Sequence, residues 1–529
     1  MTSDLVTIHF PGSTTASERM LELRSLSSCF SYRDFDWSLH SKDGIFIFQL
    51  SIHFEQEGLG IFEAKAQLKL PANFQKSDFY RKLGRYEGSK KTMQENVACQ
   101  YAKALDRLVF LIGMAELPSY WKACASQTVR IEAGPLSNDE RSWWLDLYWN
   151  GLGEYIYLND LPLTEKNLME IHALVQKTDQ TAEYKDPYPH RETVLIPIGG
   201  GKDSIVSLER LHEEAQLRHA FCINPNQASL DTMRIANISG DRRWIWSRTI
   251  DPKLLDLNAR GFLNGHTPFS SVLAFYSYLT AYLGGHRWIT LSNEASANEA
   301  TIPGTHINHQ YSKSSDFEIA FREYSESFPG KIEYFSLLRP FSELQIARDF
   351  SEHPQYFESF RSCNLGSRGG QNIWCGECPK CLFVYVLLSP WIEPERLNAM
   401  IGRNMWDAAD LTQTFDELTG YLPDKPFECV GTPEESRLAT VLCLVKFFEH
   451  RDPERLPVLL QRFVNQLKEE HWSEIDWRET SGKWRIMYHG PDLLNERYAH
   501  QVPERFWPYI RTNPEQVSLK SILTPRSEA

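Results

Sequence analysis

The residues with the clearest chemical meaning form one short run, made of Gly199, Gly200, Gly201, Lys202, Asp203 and Ser204. Three residues without a Cβ let backbone N–H groups turn toward an anion and let that anion approach the main chain closely. Lys202 adds positive charge, and Ser204 lies where a helix is expected to begin, at an end that favours negative charge. The combination predicts a phosphate-binding loop.

A strand before this loop and a helix after it would hold the loop in place. Residues 194–198 are mainly apolar and suit a strand buried on both faces, with Pro197 tolerated near its end. The following apolar residues have helical spacing: Ile205, Leu208, Leu211 and Ala215. An ordinary glycine-rich turn is the alternative, but it would not explain the apolar strand before the loop or the amphipathic helix after it.

Two further strand ends carry polar side chains. Asn224 follows the apolar run 219–223, and we expect it near the adenine or ribose of a nucleotide. The run 286–291 leads into a turn with two amides and two carboxylates: Asn293, Glu294, Asn298 and Glu299. Such a turn suits proton abstraction, Mg²⁺ binding or amine recognition, although capping of a helix explains it almost as well. His309 lies in a polar loop expected over the same crevice.

A second kind of site is predicted by four clustered cysteines, Cys363, Cys375, Cys378 and Cys381. Four thiolates at this spacing suit a tetrahedral, structural zinc ion, since no coordination position stays open. An iron–sulfur cluster is the main alternative, and metal-free thiols would leave the spacing unexplained. Cys429 lies apart on a loop; it could be a base or a nucleophile, although a lone cysteine is usually a small buried hydrophobe.

The remaining sequence suggests three regions. Residues 1–185 read as a β-rich α+β domain: a hairpin turns at 41–44, a helix spans about 95–114, and TVRIEAG and WWLDLYW are expected as strands. A polar linker follows at 177–191. Residues 191–400 read as a doubly wound α/β domain with a mostly parallel sheet, and residues 401–529 as a largely helical region.

Bulk composition excludes several classes of protein. The chain has 529 residues, 42% hydrophobic and 24% charged, with a net charge of −13, as in ordinary globular proteins. The acidic balance and the lack of a basic patch argue against nucleic acid. Neither a signal peptide nor a membrane span is apparent, and ten cysteines are too few for a disulfide scaffold, so we expect a cytoplasmic protein.

The loop also carries a resemblance. GGGKDS has neither Walker A nor GxGxxG spacing, and it resembles the SGGxDS loop of the ATP pyrophosphatase (PP-loop, adenine-nucleotide alpha-hydrolase-like) superfamily, with Gly199 where Ser is more common. The chain as a whole resembles the UDP-N-acetylmuramoyl-L-alanyl-L-glutamate epimerase family. The matching motifs, over roughly residues 100–435, are IPIGGGKDS, LYWNGLGEYIYLNDL, LSNEASANEA, NHQYSKSSDFE, LLRPFSELQIA, WCGECPKCLFVYVLLSP and KPFECVGTPEE.

This resemblance implies an isomerase of peptidoglycan synthesis. It would convert the terminal L-Glu of a UDP-linked muramoyl dipeptide to D-Glu, using ATP and releasing AMP and pyrophosphate. The loop residues and Asn224 would then hold ATP, with Lys202 stabilising developing charge and Asp203 holding Mg²⁺. Proton transfer or substrate binding would fall to Glu294 and Glu299, with Cys429 as a further catalytic candidate and Asn293, Asn298 and His309 near the substrate.

Two other interpretations remain open from sequence. One is a zinc-containing PP-loop enzyme acting on a nucleobase or tRNA, like 7-cyano-7-deazaguanine synthase, although that leaves the N-terminal 190 residues unexplained. The other is a non-catalytic nucleotide-binding protein, against which the intact Lys202, Asp203 and Ser204 argue.

Overall fold

The computed structural model describes residues 15–77, 79–80, 88–89, 100–175, 191–302, 304–305, 307–366, 373–450, 456–489 and 500–510. Its strands are β1 Cys29–Lys42, β2 Ile45–Gln56, β3 Gly60–Lys69, β4 Gly88–Ser89, β5 Thr128–Ile131, β6 Glu170–Ala173, β7 Arg191–Pro197, β8 Arg218–Ile223, β9 Arg243–Thr249, β10 His286–Leu291 and β11 Glu333–Ser336.

The α-helices surround these strands. They are α1 Ala16–Leu26, α2 Gln100–Trp121, α3 Asn138–Gly151, α4 Gly153–Leu158, α5 Lys202–Arg210, α6 Gln227–Ile235, α7 Pro252–Ala259, α8 Phe269–Gly284, α9 Ser315–Ser325, α10 Glu343–Ser351, α11 Pro379–Leu388, α12 Pro394–Ile401, α13 Thr412–Thr419, α14 Pro433–His450, α15 Val458–Glu469 and α16 Glu474–His489. Short 3₁₀ turns connect several of them.

All eleven strands belong to one mixed sheet, in the order β11-β10-β7-β8-β9-β3-β2-β1-β5-β6, with β4 paired to β1. The segment from β11 to β9 is parallel throughout. An antiparallel β3–β9 ladder, with Leu68 opposite Trp246, joins it to the N-terminal strands. The predicted α/β class is confirmed. The sheet is mixed as a whole, and it is continuous from the expected N-terminal domain into the expected α/β domain.

Alternate residues of the central strands serve two cores on opposite faces of the sheet, as expected for strands buried on both sides. Leu195 and Phe221 belong to a core shared with α2 and α8. Val194 and Ile196 belong to the other core, which includes α5 and the C-terminal helices α11 to α15. The C-terminal region is largely helical, as predicted, and it packs directly on the parallel half of the sheet.

Several local predictions can be compared with the structure. The hairpin at 41–44 is confirmed, as is the TVRI strand. The WWLDLYW strand is wrong, because this segment lies in helix α3, which is capped by Ser137 and Glu140 and buries residues at helical spacing, Trp144, Leu147, Tyr148 and Gly151.

Other elements differ from expectation only at their ends. The helix after the glycine loop begins two residues before Ser204 and ends before Leu211 and Ala215, and α2 runs on to Trp121. The linker 177–191 lies outside the described residues except at Arg191. In the described part of the chain, no helix combines the length and apolarity needed to cross a membrane.

Candidate active site

A cleft of ≈530 Å³ lies at the carboxyl ends of the parallel strands. Chain order reverses between β7 and β10, since β8 follows on one side of β7 and β10 lies on the other. Such a switch point leaves a crevice for ligands, because the connections on its two sides leave in opposite directions. Many predicted site residues line the cleft: Gly199, Gly201, Asp203, Ser204, Asn224, Asn293, Glu294 and Cys429.

The glycine loop adopts a backbone that its sequence requires. Gly200 has φ +81°, and a Cβ there would lie 2.6 Å from the Ser229 backbone nitrogen. Gly201 is the N-cap of α5 and caps it with no side chain, so the first turn of the helix can present its N–H groups to a ligand. A Cβ on Gly199 would meet nothing within 4 Å. Gly200, unlike Gly199, therefore lies where a side chain would clash with the neighbouring backbone.

Lys202 lies beneath this loop instead of lining the cleft. Its side chain is 1% exposed and forms ion pairs with Asp203 and Glu343. Burial alone would lower the pKa of Lys202, but the two carboxylates raise it, so the ammonium stays charged. Burial raises the pKa of Glu343 to about 7 despite Lys202. Lys202 is thus placed to hold Asp203 in position.

Three other cations line the cleft, Arg361, Lys313 and Lys380. None of the three was predicted from the sequence as a site residue. Lys380 lies between the third and fourth cysteines of the cluster, and Lys313 in the polar loop that was expected to cover the crevice. These positions follow from tertiary packing, since all three residues are distant from residue 202 in the chain. Together they give the cleft the positive charge that a triphosphate would need.

Cys429 lies in a cluster of charged side chains at one side of the cleft. Its Sγ is 3.1 Å from Lys313 Nζ, and its backbone carbonyl accepts a hydrogen bond from Lys380. The side chain of His309 lies near enough to Cys429 to lower the pKa of its thiol, while His309 Nδ1 contacts a carboxylate oxygen of Glu154. His309 was predicted to lie near the substrate, and the structure places it behind the thiol.

The charges of this cluster follow from its contacts. Burial would raise the pKa of Cys429, yet the Lys313 ammonium, the His309 hydrogen bond and Lys380 lower it to about 5. Burial would lower the pKa of His309, yet its hydrogen bonds to Cys429 and Glu154 raise it to about 9. Near neutral pH the pair is therefore a thiolate and an imidazolium.

The two carboxylates of the predicted acidic turn have different surroundings in the structure. Glu294 is 6% exposed and lines the cleft together with Asn293. Glu299 points elsewhere, with its side chain 48% exposed and 3.7 Å from Lys425 Nζ. The amide of Asn298 donates to Ala295 O at 2.7 Å and accepts from the Ser315 backbone at 2.6 Å, so it joins two segments. Of the two carboxylates, only Glu294 faces the cleft.

The four clustered cysteines converge, with all Sγ atoms within 4.8 Å of one another. Individual Sγ–Sγ distances are 3.9 Å for Cys363–Cys378, 3.7 Å for Cys375–Cys381 and 3.5 Å for Cys378–Cys381. Tetrahedral zinc with Zn–S bonds of ~2.3 Å would separate its sulfurs by ~3.8 Å, so the arrangement fits that ion. The predicted convergence is confirmed, and the metal itself remains a prediction.

Comparisons with known proteins identify the family of the chain. The family model described as the MurL N-terminal domain matches residues 52–337, and that of the MurL C-terminal domain matches residues 359–477. Three curated relatives each carry the name UDP-N-acetyl-alpha-D-muramoyl-L-alanyl-L-glutamate epimerase.

These relatives are similar over most of their length. The protein from Xanthomonas oryzae pv. oryzae is 31% identical, covering 78% of this chain and 87% of its own. The protein from Salinispora tropica is 36% identical, covering 64% of this chain and 73% of its own. The protein from a Micromonospora species is 35% identical, covering 70% of this chain and 80% of its own. The chain belongs to the MurL family.

Proposed function

We propose that this protein is an epimerase that converts the terminal L-Glu of UDP-N-acetylmuramoyl-L-Ala-L-Glu to D-Glu for peptidoglycan synthesis. The names of the three relatives and the matches to both MurL domains support the reaction and the substrate. The observation that carries the proposal is the cleft itself, where a phosphate-type loop lies beside a carboxylate and a thiolate suited to proton transfer.

We further propose that ATP activates the substrate. The α-proton of an amino acid carboxylate is very weakly acidic, because the resulting dianion has nowhere to place its charge. Adenylation of that carboxylate removes the negative charge and lets the carbanion delocalise as an enolate. AMP and pyrophosphate would then be the by-products, as in PP-loop enzymes, and the parallel sheet with its loop after β7 supports that superfamily.

Within this proposal the glycine loop and the first turn of α5 bind the pyrophosphate portion of ATP. Lys313, Lys380 and Arg361 line the same cleft and neutralise the phosphates. Asn224 approaches the nucleoside. Asp203 would hold Mg²⁺, which would offset the negative charge of the phosphates. Lys202 contributes by fixing Asp203, since its own ammonium is directed at Asp203 and Glu343.

Glu294 is the residue best placed to remove the α-proton, because it is the predicted carboxylate that faces the cleft. Asn293 beside it would bind the glutamate moiety. Glu299 and Asn298 contribute through the turn that carries Glu294, since their side chains contact Lys425, Ala295 and Ser315 instead of the cleft.

A substrate-dependent AMP assay tests the proposal. The protein with ATP and Mg²⁺ should form AMP with the L-Ala-L-Glu nucleotide, and chiral analysis should find D-Glu in the product. Tested alone, tRNA and 7-deazaguanine precursors should give no AMP. Asp203→Ala should lose AMP formation, while Asp139→Ala, an exposed residue of α3, should retain it. Absence of AMP with the wild-type protein and the dipeptide nucleotide would refute the proposal.

A further inference from the structure

We propose that Cys429 is a nucleophile that takes the activated glutamyl group from the adenylate, so that the α-carbon is inverted while it is held as a thioester. This inference rests on the proposed function and adds a covalent intermediate to it. It concerns the cluster of Cys429, Lys313, His309 and Glu154, whose arrangement goes beyond what binding of a nucleotide requires.

The cluster has the order of contacts found around activated nucleophiles. His309 lies near Cys429 and lowers the pKa of its thiol, and Glu154 contacts the Nδ1 of the same imidazole. A carboxylate in that position fixes the orientation of the ring and stabilises its protonated form. His266 packs on the opposite side of the ring, with ring centroids 4.3 Å apart, so the imidazole has little freedom to turn.

Lys313 completes the cluster from the other side. Its Nζ lies 3.1 Å from the Cys429 sulfur and 3.4 Å from Gln310 Oε1, and Arg339 binds the Lys313 backbone carbonyl at 2.6 Å. The sulfur thus has a cation beside it that is held from several directions. An ammonium here keeps the sulfur ionised before attack and can stabilise an oxyanion formed on an acyl group attached to it.

Two other cysteines line the cleft, Cys222 and Cys363 of the cysteine cluster, and Cys429 differs from both. Cys222 also lines the cleft, but burial raises the pKa of its thiol to about 12, so it stays protonated. Cys429 faces the same space as Glu294 and the loop residue Asp203. A glutamyl adenylate bound by the loop would therefore meet one thiolate that is not part of the cysteine cluster, with a carboxylate close by.

The chemistry balances without any additional reagent. The thiolate attacks the adenylate carbonyl, a C–S bond forms, and the C–O bond to phosphate breaks as AMP leaves with the electron pair. Glu294 removes the α-proton and releases it to water, and Lys313, which lines the cleft beside the sulfur, returns a proton to the opposite face and regains one from water. Water then hydrolyses the thioester, and sulfur leaves as thiolate. Sulfur donates less electron density to a carbonyl than oxygen does, so the α-proton of a thioester is comparatively acidic.

Acid-quenched mass spectrometry tests the intermediate. Full-length enzyme is mixed with ATP, Mg²⁺ and the L-Ala-L-Glu nucleotide, quenched during the first turnover and digested. The expected result is a Cys429 peptide heavier by the substrate less one water, released by hydroxylamine, with the Cys222 peptide unmodified. In Glu294→Gln the adduct should accumulate, because inversion is blocked.

Two variants separate the thioester from a simpler role in proton transfer. Cys429→Ala and Cys429→Ser, checked for a wild-type melting temperature, should retain substrate-dependent ATP–pyrophosphate exchange and lose epimerisation. Glu154 is a positioning residue, and Glu154→Gln should raise the pH at which Cys429 becomes reactive, which a purely structural role would leave unchanged.

The outcomes are distinguishable from failure of the proposed function. If exchange occurs but no Cys429 adduct forms in either wild type or Glu294→Gln, the thioester is overturned while ATP activation stands. Epimerisation by a folded Cys429→Ala variant overturns it as well. If the dipeptide nucleotide supports no pyrophosphate exchange in the wild type, the proposed function itself fails.

Discussion

Replacing Lys313 with Met is expected to raise the pKa of Cys429, because it removes the cation nearest to the sulfur. The two charges are 3.1 Å apart. Coulomb's law at that distance gives about 1 kcal/mol with the dielectric constant of water and about 5 kcal/mol with the effective value of 20 for protein sites. At ~1.4 kcal/mol per pKa unit, the pKa should rise by about 1 to 4, from about 5 toward the ordinary 9 of a thiol.

Iodoacetamide alkylation, followed by peptide mapping so that only Cys429 is read, measures this change. The rate rises as pH passes through the pKa, since the thiolate is the reactive form. Wild type should have its inflection near pH 5 and Lys313→Met at a clearly higher pH. Lys331→Met, at an exposed lysine, is the matched control and should leave the inflection unchanged. An unaltered profile in Lys313→Met would refute the assignment of the low pKa to this ion pair.

The glycine loop, the cysteine cluster and the buried Lys202 each give a further measurable outcome. Gly200→Ala should abolish ATP binding in calorimetry, because a Cβ there meets the Ser229 backbone at 2.6 Å with φ +81°, whereas Gly199→Ala should bind normally. Metal analysis should find one zinc per chain, lost in Cys363→Ser, since three thiolates no longer complete the site. Lys202→Met should lower the free energy of unfolding in urea by about 3–5 kcal/mol, because it leaves buried carboxylates unpaired.

Matched variants make these outcomes specific. Cys29→Ser, in β1 and away from the cluster, should retain its zinc; metal loss there would point to general instability. Lys446→Met removes the ion pair with the exposed Glu393 and should lower the free energy of unfolding by at most about 1 kcal/mol. If Lys446→Met and Lys202→Met lower the free energy of unfolding equally, burial of the Lys202 ion pairs does not determine their contribution to stability. Tight ATP binding by Gly200→Ala would contradict the close approach at the loop.

Local pattern was sufficient to predict the parts of the site that are contiguous in the chain. The loop from Gly199 to Ser204 follows a buried strand and starts a helix, and the structure has this arrangement. The four cysteines could be grouped because three of them lie within seven residues. Asn224 and Glu294 could be placed because strand ends of a parallel sheet meet at one edge.

Contacts made across the fold could not be predicted in this way. The Glu154–His309 and Lys313–Cys429 pairs join residues more than a hundred positions apart, and nothing in the local sequence links them. Lys202 was expected to face phosphate, but the burial that pairs it with Glu343 depends on where α10 packs. The prediction of a strand at WWLDLYW was wrong for another reason. Aromatic residues favour strands, and this preference was given more weight than Ser137 and Glu140, which indicate the start of a helix.

The ladder between β3 and β9 has a consequence for how substrate enters. Five consecutive residue pairs, from Lys65 opposite Thr249 to Lys69 opposite Ile245, join the N-terminal strands to the parallel segment of the sheet. A hydrogen-bonded seam of this kind resists the rotation by which two-domain enzymes close around a ligand. If a sugar nucleotide is the substrate, as proposed, its entry would not involve such a rotation.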